Sequence, residues 1–331
     1  MGNKLWNDAS THQAITLSEA CSGHWLPVII ERHNNEVLVK WCLYEALNFK
    51  VPFMQDSIRQ LGYKHDLKDV VRFSSTEFFE DFAHQTIPQD LTTEACIFHI
   101  SRCGSTLVCN VLKESPESLV LSEPQPLDFI LRQWACHNPG VEQQERLLEA
   151  LFNVWNFVAL QQGQKLFVKP DCWLNLHWQS LLKATSINIS WLLTRDLSEV
   201  LLSHKKRSGA FMLPQYVAPE YFGLEEPGND VFDYSRYPLQ VLSKVLQCGL
   251  NLVKNGRAVQ LDFETLVSRG LLRLLNEHQI SLSQEKLQCV LASHSKNGGQ
   301  FVGETTEAHQ TFSTETLHRI QENQRRLYNV I

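Results

Sequence analysis

The alternation of apolar and polar positions divides the chain into two stretches of different character. Over residues 1–92 the pattern is mixed. Segments 26–31 and 36–41 are rich in apolar and β-branched residues, and His33, Asn34 and Asn35 between them are turn formers, so a β-hairpin is predicted. Segments 53–61 and 75–83 read as short amphipathic helices. In the second, Phe78, Phe79 and Phe82 fall at i, i+1 and i+4, the spacing of a face packed into a core. Residues 86–93, with Pro88, read as a connector.

From Ala95 onward, short continuous apolar runs alternate with helical periodicity. The runs at 95–100, 119–121, 165–168, 187–193 and 258–261 have the length of buried parallel strands. Helices are predicted at about 105–114, 126–134, 142–161, 173–184 and 198–207, then after the last strand to about 276, and at 283–292. This alternation predicts an α/β class: a central parallel sheet with helices on both faces, preceded by a small α+β region. The expected division is residues 1–92 and residues 93–331. Ligands of such sheets bind at the carboxyl ends of the strands. Residues 211–238 are rich in Pro and Gly and carry Phe211, Tyr216, Tyr221, Phe222, Phe232 and Tyr234, which suits a lid or binding loop.

Composition narrows the functional classes. The chain has 331 residues, 43% apolar and 20% charged, with a net charge of −6. An acidic chain is not built to grip nucleic acid over its whole surface, so any anion site must come from local basic residues. The run from His204 to Arg207 is basic but too short for a nucleic-acid patch, and no nucleic-acid partner is expected. Nine cysteines without a C-x-x-C pair suggest neither a disulfide framework nor a zinc knuckle, and reduced thiols point to a cytoplasmic setting. No run of 18 apolar residues and no leader-like start occurs, and Trp6 stands where a myristoylation signal needs Ser or Thr. No membrane partner is expected.

The chemistry concentrates after the first strand of the second region. Ser101, Arg102, Cys103, Gly104, Ser105 and Thr106 follow it and lead into an apolar helical face of Leu107, Val108, Val111 and Leu112. Strand, glycine turn and helix start make an anion site, because the first-turn N–H groups have no partner within the helix and the helix dipole is positive there. The same turn also suits plain Ser/Thr capping. It is not a Walker A sequence, since the chain contains no Gly-Lys pair.

Residues 98–107 resemble the 5'-phosphosulfate loop of the sulfotransferases that use 3'-phosphoadenosine-5'-phosphosulfate (PAPS). Their pattern is Pro, Lys or Arg, Ser, Gly, Thr or Ser, Thr. Here Ser101 replaces the Pro and Cys103 the Ser, while Arg102, Gly104, Ser105 and Thr106 are kept. A second stretch is similar to the same family: a strand ends in Arg195-Asp196, and Ser203 follows eight residues after the Arg. In the family that Arg and Ser bind the 3'-phosphate. The resemblance covers residues 95–305 and implies a P-loop NTPase-like sulfotransferase fold, bacterial in type with an N-terminal extension, PAPS as donor, PAP as product and no metal. Alternatives of the same architecture are an ATP- and magnesium-dependent phosphotransferase and a non-catalytic nucleotide-binding protein.

The resemblance also suggests catalytic residues. Glu123, just past the second strand, matches the base glutamate of tyrosylprotein sulfotransferases, and is equally placed to cap the helix near Pro126. Lys169 stands where relatives carry Lys-x-His, but Asp171 replaces the histidine, so Asp171 is the second candidate base. Lys169 would stabilise charge at the sulfuryl bridge, or be an exposed strand-end lysine. Arg102 keeps its proton and so would act electrostatically. Lys296, within residues 295–299, resembles the late basic loop that closes over the nucleotide. Ser198 is a candidate helix cap, His99 reads as a strand residue, and His177 and His204 as helix-surface residues. The expected acceptor is a small molecule, through a hydroxyl rather than an amine.

Overall fold

The computed structural model describes residues 13–33, 36–134, 140–228, 233, 236–292 and 311–329. The predicted hairpin is formed by β1 (Trp25–His33) and β2 (Glu36–Leu43), and β3 (Val71–Ser75) adds to it in an antiparallel sheet of order β1-β2-β3. The third strand was not legible, because five residues between two helices carry too little alternation to register. Helices α1 (Met54–Lys64) and α2 (Thr76–Gln85) flank it. Ser75 caps α2 by accepting from the Phe78 N–H. Phe79 and Phe82 are buried and meet the Trp41 ring edge-on, at 5.5 and 6.0 Å, so the expected apolar face is core.

The second sheet has five parallel strands: β4 (Thr92–His99), β5 (Ser118–Ser122), β6 (Lys165–Lys169), β7 (Ser186–Thr194) and β8 (Val259–Asp262). Their order is β5-β6-β4-β7-β8. In the central register Ile97 lies opposite Trp191 and Phe98 opposite Leu192, all buried. The chain leaves β4 to one side for β5 and β6, then crosses to the other side for β7 and β8. The topological switch therefore lies at the carboxyl end of β4, the position at which such sheets bind ligands. The longer helices of this region are α3 (Ser105–Leu112), α4 (Val141–Gln161), α5 (Leu197–Lys206), α6 (Tyr237–Lys254), α7 (Gln284–Ala292) and α8 (Thr314–Tyr328).

Three elements depart from expectation. The segment read as a loop to residue 238 gives way at Tyr237 to the 18-residue α6, whose Pro238 sits in the first turn where a missing N–H costs nothing. The helix expected at 126–134 is one turn of α-helix, Gln125–Asp128, followed by a π-helix, Phe129–Trp134. The helix expected at 173–184 opens as a 3-10 turn, Cys172–His177, before its α-helical part, Trp178–Ala184.

The two sheets share one apolar core. Their seam is also held by polar groups. The Gln125 amide accepts from the Ile30 N–H at 3.0 Å and donates to the Ile30 carbonyl at 2.9 Å, completing the pairing of a β1 residue. Trp155 of α4 donates its indole N–H to the Pro27 carbonyl at 2.9 Å, beside the bulge in β1. Buried Lys113, at the end of α3, donates to the carbonyls of Val51 and Pro52 at 2.6 and 3.0 Å.

Candidate active site

The carboxyl ends of β4, β5, β6 and β7 bring most of the candidate residues to one edge of the sheet. The loop after β4 departs from ordinary backbone: Ser101, Arg102 and Gly104 have φ of 70°, 51° and 86°. Positive φ is uncommon outside glycine. A left-handed run just ahead of a helix is the kind of backbone that presents successive N–H groups to an anion. Gly104 is the N-cap of α3 and offers no side chain to cap it. A Cβ there would lie 2.9 Å from the Phe263 ring, so only glycine fits. Ser105 and Thr106 form the first turn of α3 and are largely buried. Cys103 is fully buried, and burial pushes its thiol up, so it can offer an anion its backbone alone.

Two arginines converge on this loop. Arg195, at the end of β7, donates to the Arg102 carbonyl at 3.3 Å, approaches Glu199 at 3.5 Å and lies over the Phe263 ring at 4.7 Å. Arg102 donates to the Arg207 carbonyl, at the end of α5, at 2.5 Å. Ser203 is half-buried in α5, and its carbonyl accepts from the Arg207 N–H at 3.1 Å. The Arg102 bond thus places Ser203 one turn from the group that ties α5 to the loop. Asp196, not Ser198, caps α5: its carboxylate accepts from the N–H groups of Ser198 and Glu199. The first N–H donors of a helix attract a carboxylate more strongly than a hydroxyl, which explains the exchange.

A second cluster lies beside the loop, at the ends of β5 and β6. Lys169 is fully buried and forms an ion pair with Glu123, and it also donates to the Ser122 hydroxyl at 3.3 Å. Lys169 is therefore not the exposed strand-end lysine that was the alternative. Burial alone would push its ammonium down; the attraction of Glu123 outweighs this and holds it above its ordinary value. Glu123 has φ of 52°, and its N–H donates to the Lys169 carbonyl at 2.7 Å. A non-glycine residue held in this region signals local strain of the sort found at functional sites. The helix that follows has Pro124 at its N-cap and no side-chain cap bond, so Glu123 is not a capping residue.

Asp171 follows in the turn after β6. Burial, then the neighbouring carboxylates Glu123 and Asp128, hold its carboxyl well above the usual range. Asp171 thus differs from Glu123, which has Lys169 as its ion-pair partner. Asp128 is ion-paired to Arg132, and the Trp173 indole donates to it at 2.7 Å. Trp173 in turn packs on Phe211 and Tyr216, with ring centres 5.5 and 6.0 Å apart, and Tyr221 donates to the Trp173 carbonyl at 3.3 Å. Part of the expected binding loop is thereby folded over the turn that carries Asp171. Phe232, Tyr234 and Lys296 lie outside the described residues.

His99 belongs to this cluster, and sequence reasoning did not place it there. It ends β4 and is buried. Its Nδ1 accepts from the Ser101 N–H at 3.1 Å, and its Nε2 lies 3.1 Å from the Pro170 carbonyl. A carbonyl only accepts, so the proton sits on Nε2, and these two bonds select one neutral tautomer. Glu123 is 3.9 Å from the same nitrogen. The available signal was its position, the last strand residue before the loop. His204 is fully buried and faces Phe211 edge-on at 5.5 Å, and His177 is half-buried. Neither is a surface residue, because both lie under the segment 211–222.

Among the described residues no group of three or more His, Cys, Asp or Glu is placed to hold a metal ion. No helix of the described residues is long and apolar enough to cross a membrane. No family model matches the chain, and no curated protein matches it at significance. Among solved structures the chain is similar to the sulfotransferase domain of the Synechococcus PCC 7002 olefin synthase, at 13% identity and a TM-score of 0.41, over 70% of this chain and 94% of that one. It is also similar to sulfotransferase STF9 from Mycobacterium avium, at 13% identity and a TM-score of 0.43, over 73% and 77% of the two chains. For sulfotransferase STF1 from Mycobacterium tuberculosis H37Rv the values are 11%, 0.40, 76% and 82%.

Proposed function

We propose that this chain is a sulfotransferase that takes a sulfuryl group from PAPS and delivers it to a hydroxyl of a small-molecule acceptor. One observation carries the reading: the glycine loop at the start of α3 and the Arg195 guanidinium meet at the carboxyl end of β4, joined by the 3.3 Å bond from Arg195 to the Arg102 carbonyl. A helix start without a side-chain cap, two arginines and a hydroxyl one turn away in α5 suit a ligand carrying two separate anionic groups. That is the charge pattern of a nucleotide with a 3'-phosphate and a 5'-phosphosulfate.

PAPS, when bound, supplies the activated sulfuryl group. The loop backbone with Ser105 and Thr106 would hold its 5' end, and Arg195 with Ser203 its 3'-phosphate. Arg102 and Lys169 stabilise negative charge on the leaving side. Glu123 accepts the proton of the acceptor hydroxyl, and His99, fixed in one tautomer, stands behind it. Positioning and charge account for most of such a transfer.

The test is calorimetric titration of the protein with PAP, beside ADP, AMP and ATP, repeated on Arg195→Ala. Micromolar binding that prefers PAP and collapses in the variant is expected. A preference for ATP that requires magnesium would move the assignment to a phosphotransferase, and no binding at all to a non-catalytic fold.

A further inference from the structure

One short segment of the antiparallel layer runs up to the candidate site. Between Lys50 and Phe53 the chain leaves β2 for α1 and passes the end of α3. Two lysines fasten it there in opposite directions. Lys50 donates to the Lys113 carbonyl at 2.5 Å, and Lys113 donates to the carbonyls of Val51 and Pro52 at 2.6 and 3.0 Å. The next side chain is Phe53, half-buried, whose ring centre lies 5.2 Å from the Lys169 ammonium. That ammonium has no accessible surface, although it lies at the edge of the sheet that ligands approach. An aromatic face over a desolvated ammonium is attractive and excludes water from it.

We propose that Phe53 is a positioning residue for the Glu123–Lys169 pair, and that this is what the N-terminal layer contributes to the site. The inference rests on the sulfotransferase reading for the role of the pair. The ring shields one side of the ammonium, so that Lys169 keeps its bonds to Glu123 and Ser122 instead of to water. Glu123 is thereby held facing the sheet edge. The Lys113 clamp makes the ring part of the α3 scaffold, which also carries the anion loop at its other end.

The test measures the rate at which Lys169 is acetylated by N-hydroxysuccinimidyl acetate, by mass spectrometry of the full chain. Lys183, whose side chain is 63% exposed, serves as internal reference. PAP binding is measured on every variant as a control of folding and of the donor site. Phe53→Ala is expected to raise the Lys169 rate by roughly tenfold or more, the size of effect for an uncovered cation–aromatic contact, with PAP binding kept. Phe53→Tyr, which retains the face, restores the slow rate, and Phe53→Leu provides a milder change should the alanine variant not fold. Phe79→Leu loosens the core of the same layer and leaves Lys169 slow. Unchanged Lys169 reactivity in Phe53→Ala with PAP still bound overturns the proposal, as does equal acceleration in Phe79→Leu. Failure of the native chain to bind PAP removes the function on which the role of Phe53 depends.

Discussion

Glu123 and Asp171 are both carboxylates after adjacent strands, yet their surroundings separate them. Glu123 has Lys169 as ion-pair partner, whereas Asp171 is buried beside the carboxylates of Glu123 and Asp128. On the proposed reading Glu123 is the base, and a substitution that keeps its shape separates that role from Asp171. Glu123→Gln keeps the backbone and size and removes the base. Sulfuryl transfer from labelled PAPS is expected to fall by roughly 100- to 10,000-fold, the usual contribution of general base catalysis, while calorimetry finds PAP binding intact. Retained transfer in Glu123→Gln would reassign the proton to another group. The strand-end positions of Glu123, Lys169 and Arg195 were legible from the pattern of apolar runs. The pairing of Glu123 with Lys169 was not, because it depends on β5 and β6 being neighbours.

At the scale of elements, the strands of the parallel sheet were the most legible parts. In β4, β5 and β6 most residues are buried and leave continuous apolar runs, whereas β8, expected as a buried strand, ends the sheet and has only exposed and half-buried residues. Helix starts were less so. Ser198 and Asp196 both offer an acceptor near the start of α5, and the choice fell to the carboxylate. Asp196→Ala is expected to lower stability by about 1 kcal/mol in chemical denaturation, with Ser198→Ala causing a smaller loss. The reverse order would assign the cap to the hydroxyl. α6 was hidden because its first turn follows a Pro/Gly-rich stretch whose composition dominates the local signal.

At the scale of the molecule, the seam between the two sheets depends on a buried cation. Burial pushes Lys113 from its ordinary 10.5 down to about 8. The unfolded chain then binds more protons than the folded one between those values, so stability rises with pH across that window. Below about 8 the cost of burying the charge is fully present; above it the cost is relieved. The native chain is expected to gain stability relative to Lys113→Met by on the order of 3 kcal/mol between pH 7.5 and 10.5, measured by denaturation at each pH. A difference that does not change with pH would mean that Lys113 is solvated in the folded protein.

The apolar runs and the glycine turn determined that this is an α/β chain with a glycine loop between its first parallel strand and the helix that follows. Those features are local: burial on two faces, positive φ at Gly104 and helix periodicity all leave their mark within a few residues. The tertiary structure alone decided that Lys169 is buried against Glu123, that His99 lies 3.9 Å from Glu123 and that the Phe53 ring lies over the Lys169 ammonium. These contacts join residues 24 to 116 positions apart, and nothing in a linear pattern encodes which strand ends become neighbours when the sheet is assembled.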